Sequence, residues 1–282
     1  MSGPLSAPEP VSAVLSRPHG LLEAPRLRPD GAALYSDVLA GGVFEVSPAG
    51  EVRELVPDRR GVGGLVPHRD GGVVVTGRTL SHVAVGGSEH ELLGREGVTG
   101  YNDLTTDADG AVLVGALRYR PLAGEEPVPG RLLRVHDRGS AEVLTERVTW
   151  PNGVGVSLDG SAVYLSDYAA RRVLVLPAAG GDPDVFCESP DGSADGLAVD
   201  AEGGVWLALG EGGAVARFTA AGELDAVVGV PARFVSSLSF GGPDGRDVLI
   251  STADNLQTPG TGGTLFRARS EVPGAPVVAA TV

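Results

Sequence analysis

Apolar residues in this chain alternate with polar ones in short runs, and turn residues separate the runs at a near-constant distance. RPDGAALYSD, HRDGGVVVTG, DADGAVLVGA, SLDGSAVYLSD, DAEGGVWLALG and GPDGRDVLIST share one form: acidic or polar residues, then Gly, then an apolar alternating strand. Gly supplies the φ > 0 position of a tight hairpin, and period-two alternation marks a strand with one buried face. The glycines are Gly31, Gly71, Gly110, Gly160, Gly203 and Gly245, so the copies lie 40, 39, 50, 43 and 42 residues apart. A second strand pair follows in GGVFEVSPAGEVREL, GRLLRVHDRGSAEVL, RRVLVLPAAGG, GAVARFTAAGELDAVV and GTLFRARSEVPGAPVV. Four strands per unit at this period predict an all-β chain, a six-bladed β-propeller of four-stranded antiparallel blades.

The reading makes residues 1–282 a single domain, with a short flexible N-terminus through about residue 10. Val11 to Arg17 is expected to complete the last blade and close the ring. A β-sandwich also gives closely spaced turns, but it does not require six copies of one unit. The longest step contains RYRPLAGEEPVPG, a Pro- and Gly-rich insertion expected to loop over one face.

Equivalent copies place equivalent residues at the same point of each blade. Eight positions before each turn glycine stand Glu23, Gly63, Asn102, Asn152, Asp195 and Ser237. Strand side chains alternate faces, so one register aims this set at the propeller axis. Two carboxylates and two amide carbonyls meeting in a channel are unfavourable unless a positive charge sits between them. Glu23, Asn102, Asn152 and Asp195 are therefore the candidate ligands of one divalent metal ion. Oxygen donors without Cys or His favour a hard ion, Ca²⁺ first and Mg²⁺ or Mn²⁺ as alternatives.

Composition narrows the remaining classes. Lys plus Arg number 22 against 36 Asp plus Glu, a formal net charge of -14, which disfavours nucleic acid and anionic lipid as partners. The sequence contains no lysine, so Schiff-base catalysis is excluded. Cys187 is the single cysteine and is read as a small buried hydrophobe. No secretory leader and no apolar run of membrane-spanning length is found, so a cytoplasmic protein with a small-molecule substrate is expected. Nothing in the sequence fixes an oligomeric state.

In NDLTTDADG, PNGVGVSLDGSAVYLSD and ADGLAVDAEGGVWLALGEGGAVARFTAAGEL the chain resembles the senescence marker protein, gluconolactonase and luciferin-regenerating enzyme group. That group includes regucalcin and is similar to the diisopropylfluorophosphatases. The resemblance runs from LLEAPRL to the strand at Leu249. It implies a six-bladed propeller that hydrolyses lactones or related esters with a central Ca²⁺, Zn²⁺ or Mn²⁺. The family's metal glutamate opens an E-G-P-x-W motif, matched by Glu23 in EAPRL; its asparagines in R-x-N-D and S-N-G-L match Asn102 and Asn152. The aspartate of P-D-G-L matches Asp195. Two departures stand out: the arginine of R-x-N-D is Gly100, and the tryptophan of E-G-P-x-W is Leu27. A pocket lacking that cation and that ring is expected to take a larger or less polar acyl substrate than a sugar.

The expected reaction is metal-assisted lactone or ester hydrolysis, with Asp195 as general base and direct attack by Asp195 as a variant. Asn102 and Asn152 would orient the ion and hydrogen-bond the developing oxyanion. A metal-dependent isomerase, lyase or cyclase on the same site is the alternative, and a non-enzymatic propeller a third class. Tyr101, Asp103, His82, Arg118, Tyr119 and Trp150 are the candidate pocket residues, with Tyr168 a similar one. Asp103 and Asp167 also suit structural turn roles. His19, His68, His90 and His136 are expected at the surface or in turns, and Trp206 between blades.

Overall fold

Each turn glycine of the repeat closes a hairpin between an inner strand and the strand beside it. All six have positive φ, from 70° to 91°, a region that costs glycine nothing. Residues 4–12, 14 and 19–282 are described by the computed structural model. Blade 1 comprises β2 (Leu22–Leu27), β3 (Ala33–Asp37), β4 (Val43–Val46) and β5 (Val52–Val56). Blade 2 holds β6 (Leu65–Pro67), β7 (Val73–Val75), β8 (Leu80–Val83) and β9 (Glu89–Leu93). Blade 3 runs through β10 (Gly100–Thr106), β11 (Val112–Leu117), β12 (Arg131–Asp137) and β13 (Ser140–Thr145). In blade 4 lie β14 (Pro151–Val156), β15 (Ala162–Asp167), β16 (Arg172–Pro177) and β17 (Asp184–Glu188). Blade 5 is β18 (Leu197–Val199), β19 (Val205–Ala208), β20 (Ala214–Phe218) and β21 (Leu224–Gly229).

The sixth sheet has the order β1-β24-β23-β22, with β22 (Val235–Gly241), β23 (Asp247–Thr252) and β24 (Leu265–Arg269) from the C-terminal end. Its outer strand is β1 (Glu9–Pro10), so the two ends of the chain share a blade and close the six-bladed propeller. The closing strand thus lies ahead of the expected Val11–Arg17 and inside the stretch expected to be a flexible lead-in. Val11 N still donates to Leu265 O at 2.8 Å, while residues 13 and 15–17 lie outside the described residues. Pro10 suits an outer edge, where its missing N–H removes nothing from the ladder.

The cores lie between blades. Leu113 and Leu132 of blade 3 pack with Val163 and Leu165 of blade 4, and Trp206 of blade 5 packs on blade 6 through Leu238, Val248 and Phe266. Trp206 is fully buried, and its Nε1 donates to Asp200 Oδ2 at 2.9 Å. Cys187 is buried in the blade 4–5 core, where burial pushes its thiol up to about 12; it is structural, as read. His19 and His68 depart from expectation, since both are buried: His19 faces Asp37 at 3.3 Å, and His68 meets Val282 O at 2.9 Å.

The last residues do what no repeat foretold. Gly274 and Ala275 donate to Gly245 O and Val199 O, both at 2.8 Å, in blades 6 and 5. Across the ring, Ala280 N donates to Pro67 O and Thr281 N to Gly110 O, both at 2.9 Å. Thr106 Oγ1 donates to Val278 O at 2.7 Å. The tail therefore crosses the face that carries the repeat turns, and the cavity described below opens on the other face. Removing residues 273–282 deletes these bonds, at a net cost of about 0.5–1.5 kcal/mol each. A fall in Tm of about 6 °C or more is expected, read by thermal denaturation; an unchanged Tm would mean that the tail is not part of the closure.

Candidate active site

Inner strands approach the axis so closely that side chains are excluded at several positions. A Cβ on Gly63 would stand 2.3 Å from Asn102 Oδ1, and one on Gly64 2.5 Å from Leu104 N. In the same way Gly153 abuts Leu197 N at 2.4 Å and Gly196 abuts Ser237 Oγ at 2.1 Å. Hydrogen bonds then tie blade to blade around the ring. Ser36 Oγ donates to Val62 O at 2.6 Å, Gly196 N to Ser236 O at 2.9 Å and Ser236 Oγ to Leu22 O at 2.6 Å. Four inner strands also slip register at this level, between Glu23 and Arg26, Tyr101 and Leu104, Pro151 and Val154, and Val235 and Ser237. Such bulges re-aim side chains out of the strict alternation. In β2 the bulge holds Ala24 at φ 51°, a left-handed conformation costing an L-residue about 1 kcal/mol.

This construction brings the four candidate ligands to one place. Glu23, Asn102, Asn152 and Asp195 all line the floor of a cavity of about 770 Å³, together with Gly63. Ser237 does not join them; it is buried against Gly196. Asn152 Nδ2 donates to Asp195 Oδ1 at 2.5 Å, and Asn102 Nδ2 donates to Pro151 O at 3.0 Å. Each amide thus spends its nitrogen on the protein and keeps its carbonyl oxygen to offer. Glu23 is 8 % exposed and Asp195 2 %.

Beneath this set lies an unforeseen pair. Asp103, the neighbour of Asn102, does not line the cavity; it is buried, and its Oδ1 stands 3.9 Å from Arg26 Nη2. Arg26 reaches from blade 1 to blade 3, donating to Leu104 O at 2.8 Å. The glycines of blade 2 leave room for that reach. Burial pushes Asp103 up to about 6 despite Arg26. Glu23 is held well above the usual carboxylate range by burial, then by the Asp195 and Asp103 charges. Asp195 is raised by burial and then by Asp103.

Of the other sequence candidates, Tyr101, Tyr119, Trp150 and Tyr168 line the cavity. Trp150 and Tyr168 have ring centroids 4.4 Å apart, and Asp167 fixes the Trp150 segment by accepting from Thr149 N and Trp150 N. The insertion after β11 forms part of the mouth through Arg120, Pro121 and Ala123. Two candidates are elsewhere. His82 sits in the third strand of its blade, stacked on His68 with Nε2 2.9 Å from Gly71 O, and Arg118 points out to Pro129 O. Position 27 is also no part of the cavity: Leu27 packs in the core with Tyr35 and Leu249, so its replacement of a tryptophan does not reshape the pocket. Nothing in the repeat count singled out Arg26, which shares β2 with Glu23.

Among the described residues no group of three or more His, Cys, Asp or Glu gathers as a metal site. The axial quartet contributes two carboxylates and two amide oxygens. Its chemistry nonetheless suits a divalent cation: two buried anions repel one another, two carbonyl oxygens are free, and Arg26 lies on the Asp103 side.

Residues 21–254 match the SMP-30/Gluconolactonase/LRE-like region model. The chain is 28% identical over 254 residues to the pentonolactonase of Haloferax volcanii, covering 86% of this chain and 85% of that protein. It is 29% identical to the 6-deoxy-6-sulfogluconolactonase of Pseudomonas putida, over 94% of this chain and 97% of the other. Among solved structures, luciferin-regenerating enzyme superposes with TM-score 0.86 at 19% identity, covering 98% of this chain and all of that one. Regucalcin from Agrobacterium tumefaciens, described as a calcium-binding protein, gives 0.81 at 22% identity over 99% and 98%.

Carboxylates raised by burial bind more protons folded than unfolded, so stability falls as pH rises through their titration. The window opens at the ordinary aspartate value of 3.8 and passes about 6 for Asp103. Chelator-treated protein is expected to lose Tm as pH rises from about 4 through about 6, with further loss above that from Glu23 and Asp195, and Ca²⁺ to raise Tm more at the higher pH. A Ca²⁺ effect independent of pH would count against a cation beside these groups. Gly63→Ala should drive Asn102 Oδ1 aside and weaken metal affinity about tenfold or more, measured calorimetrically. Gly229→Ala, whose Cβ meets nothing within 4 Å, is the control.

Proposed function

The chain belongs to the SMP-30/gluconolactonase/LRE-like family, and from that membership and the axial cavity we propose that it is a divalent-metal-dependent lactone hydrolase. The observation that carries the reading is the convergence of four oxygen donors, two of them buried carboxylates, at the floor of one cavity. Lactonase names among the relatives support the same reaction. Glu23, Asn102, Asn152 and Asp195 would hold the ion, and oxygen-only donors favour Ca²⁺ over softer metals. When bound, the ion would polarise the lactone carbonyl and lower the pKa of water.

The chain's own residues divide the rest of the work. Asp195 accepts the proton of the attacking water, and Asn152, bonded to its Oδ1, fixes the carboxylate for that transfer. Hydrolysis breaks the ring C–O bond and returns the proton to the departing alkoxide, giving a hydroxy acid. Asn102, steered by Pro151 O, would offer its carbonyl oxygen to the ion. Arg26 stays below the floor, where it offsets part of the carboxylate charge without entering the cavity. Trp150 and Tyr168 supply an apolar wall that excludes water from the reacting face.

The test is turnover of a lactone panel by purified protein with Ca²⁺, Mn²⁺ or Zn²⁺ and after chelation. Hydrolysis that chelator abolishes and metal restores is expected; rates indifferent to chelator would overturn the metal requirement. Asp195→Asn keeps an oxygen for the ion but cannot take a proton, so kcat should fall about 10²-fold or more while metal affinity changes less. Near-full activity in that variant would remove Asp195 as the base.

A further inference from the structure

Three arginines line the cavity mouth, and they are not equivalent. Arg120 is spent on Glu125, which accepts from its backbone N, its Nε and its Nη2. Arg60 and Arg78 are exposed and, among the described residues, have neither hydrogen bond nor ion pair. On a chain of net charge -14, with most arginines already facing carboxylates, two free guanidiniums at one opening are a local reversal of sign.

They are also deliberately placed. Arg60 comes from the segment joining blades 1 and 2, and Arg78 from the turn between β7 and β8. Arg59, the neighbour of Arg60, clamps that turn: its Nε donates to Thr76 O at 2.9 Å and its Nη2 to Thr79 O at 2.8 Å, bracketing Gly77 and Arg78. Gly77, at φ 129°, lies close enough that a Cβ there would stand 3.2 Å from Arg60 O. Gly100 completes the arrangement. A Cβ on it would be 3.0 Å from Gly77 O and 4.0 Å from Arg78 Cα, so the bare position at 100 is filled from the preceding blade by the segment that presents Arg78.

Free donors on the rest of the wall are few, the Tyr119 hydroxyl and Trp150 Nε1 among them. Thr99 Oγ1 is committed to Leu117 O and Tyr119 O, and Tyr101 OH to Gly94 O. Leu21, Val38, Leu39, Leu117 and Phe234 supply apolar surface. A polyhydroxylated ring would carry more hydroxyls than the Tyr119 and Trp150 donors can pair, and each one left buried and unpaired costs about 1–3 kcal/mol. Resting on the lactone-hydrolase reading, we propose that the substrate is a lactone with an apolar skeleton and an anionic substituent, a carboxylate or similar oxyanion, which Arg60 and Arg78 grip at the mouth while the lactone carbonyl reaches the axial floor. A guanidinium suits a planar oxyanion through its parallel N–H donors, and two at one opening offer this twice.

Three probes of related ring size test this: a γ-lactone bearing an alkyl chain that ends in a carboxylate, its methyl ester, and a polyhydroxylated γ-lactone. Steady-state hydrolysis is paired with direct binding, followed by the fluorescence of Trp150, since Trp206 is fully buried away from the cavity. The acid should exceed its ester about tenfold in kcat/KM, mainly through KM, and the advantage should shrink with added salt. In Arg60→Ala/Arg78→Ala the acid-to-ester ratio should fall toward one in both rate and affinity, with partial recovery in Arg60→Lys/Arg78→Lys. Arg138→Ala, an exposed turn arginine outside the cavity, keeps the wild-type ratio. Equal handling of acid and ester, a ratio unmoved by the double variant, or preference for the polyhydroxylated ring each overturns the proposal. If nothing is hydrolysed yet the acid binds more tightly than its ester through the two arginines, the anion site stands and the hydrolase reading falls. Hydrolysis without charge preference has the opposite meaning.

Discussion

Three buried carboxylates, Glu23, Asp103 and Asp195, share the propeller axis with one guanidinium, Arg26, and the rest of the site answers to that imbalance. Arg26 is drawn to one side by its bonds to Leu104 O and its approach to Asp103. Excess negative charge is left between Glu23 and Asp195. A buried, unpaired ion costs several kcal/mol even after relaxation. Two remedies exist, a proton or a cation, and the raised carboxylate pKa values are the signature of the first. The same energetic pressure that makes these groups hold protons makes the floor of the cavity a place where a divalent ion is worth binding.

That concentration of charge is possible because the backbone leaves space for it. Blade 2 offers only Gly63 and Gly64 at the level of the ligands, and through this gap Asn102 Oδ1 and Leu104 N come close to its main chain. Side chains at either position would push blade 3 outward. Gly153 and Gly196 do the same for blades 4 to 6. The close ring in turn lets hydroxyls such as Ser36 and Ser236 bridge neighbouring inner strands. Packing between blades then holds the ring from outside, and the C-terminal tail seals the far face. Rigidity at the axis is therefore distributed over all six blades, which suits donors that must not move apart under mutual repulsion.

Much of this was legible in the sequence because a propeller repeats one unit. The turn glycines set the blades, and a fixed count back from them found the axial residues without reference to any single motif. The count fails where the physics is not periodic. It gives the same rank to Ser237 as to Asp195, because it cannot see that a glycine in the next blade lets Ser237 tuck beneath. Asp103 was a pocket candidate beside Asn102, but a bulge decides which of two adjacent residues faces the cavity and which faces Arg26 below. His82 and Arg118 were chosen for being near the right loops, yet His82 lies on the third strand of its blade and Arg118, in the bend after β11, turns to Pro129 O. The tail crossing the opposite face leaves no pattern at all, because its hydrogen bonds come from backbone groups and any sequence without a helix could make them.

Charge along the axis has a direction. With no lysine in the chain, every cationic contact is made by guanidiniums, and adjacent residues divide their uses: Arg59 is bonded into the framework at Thr76 O, Thr79 O and Glu89, whereas Arg60 is left free. The floor concentrates carboxylates, and the rim carries the two free guanidiniums. A neutral ligand feels little of that gradient, and a polyanion would be held at the rim by the arginines and repelled by the bare floor. A molecule with one anionic end and one polarisable carbonyl end would be aligned by it, since with an ion held at the floor each end would be attracted to a different level of the cavity. Orientation of this kind depends on the separation of the two charges along the axis, and that separation is set by the framework: Arg59 holds the rim segment, while the glycines of blade 2 and the Arg26–Asp103 pair hold the floor.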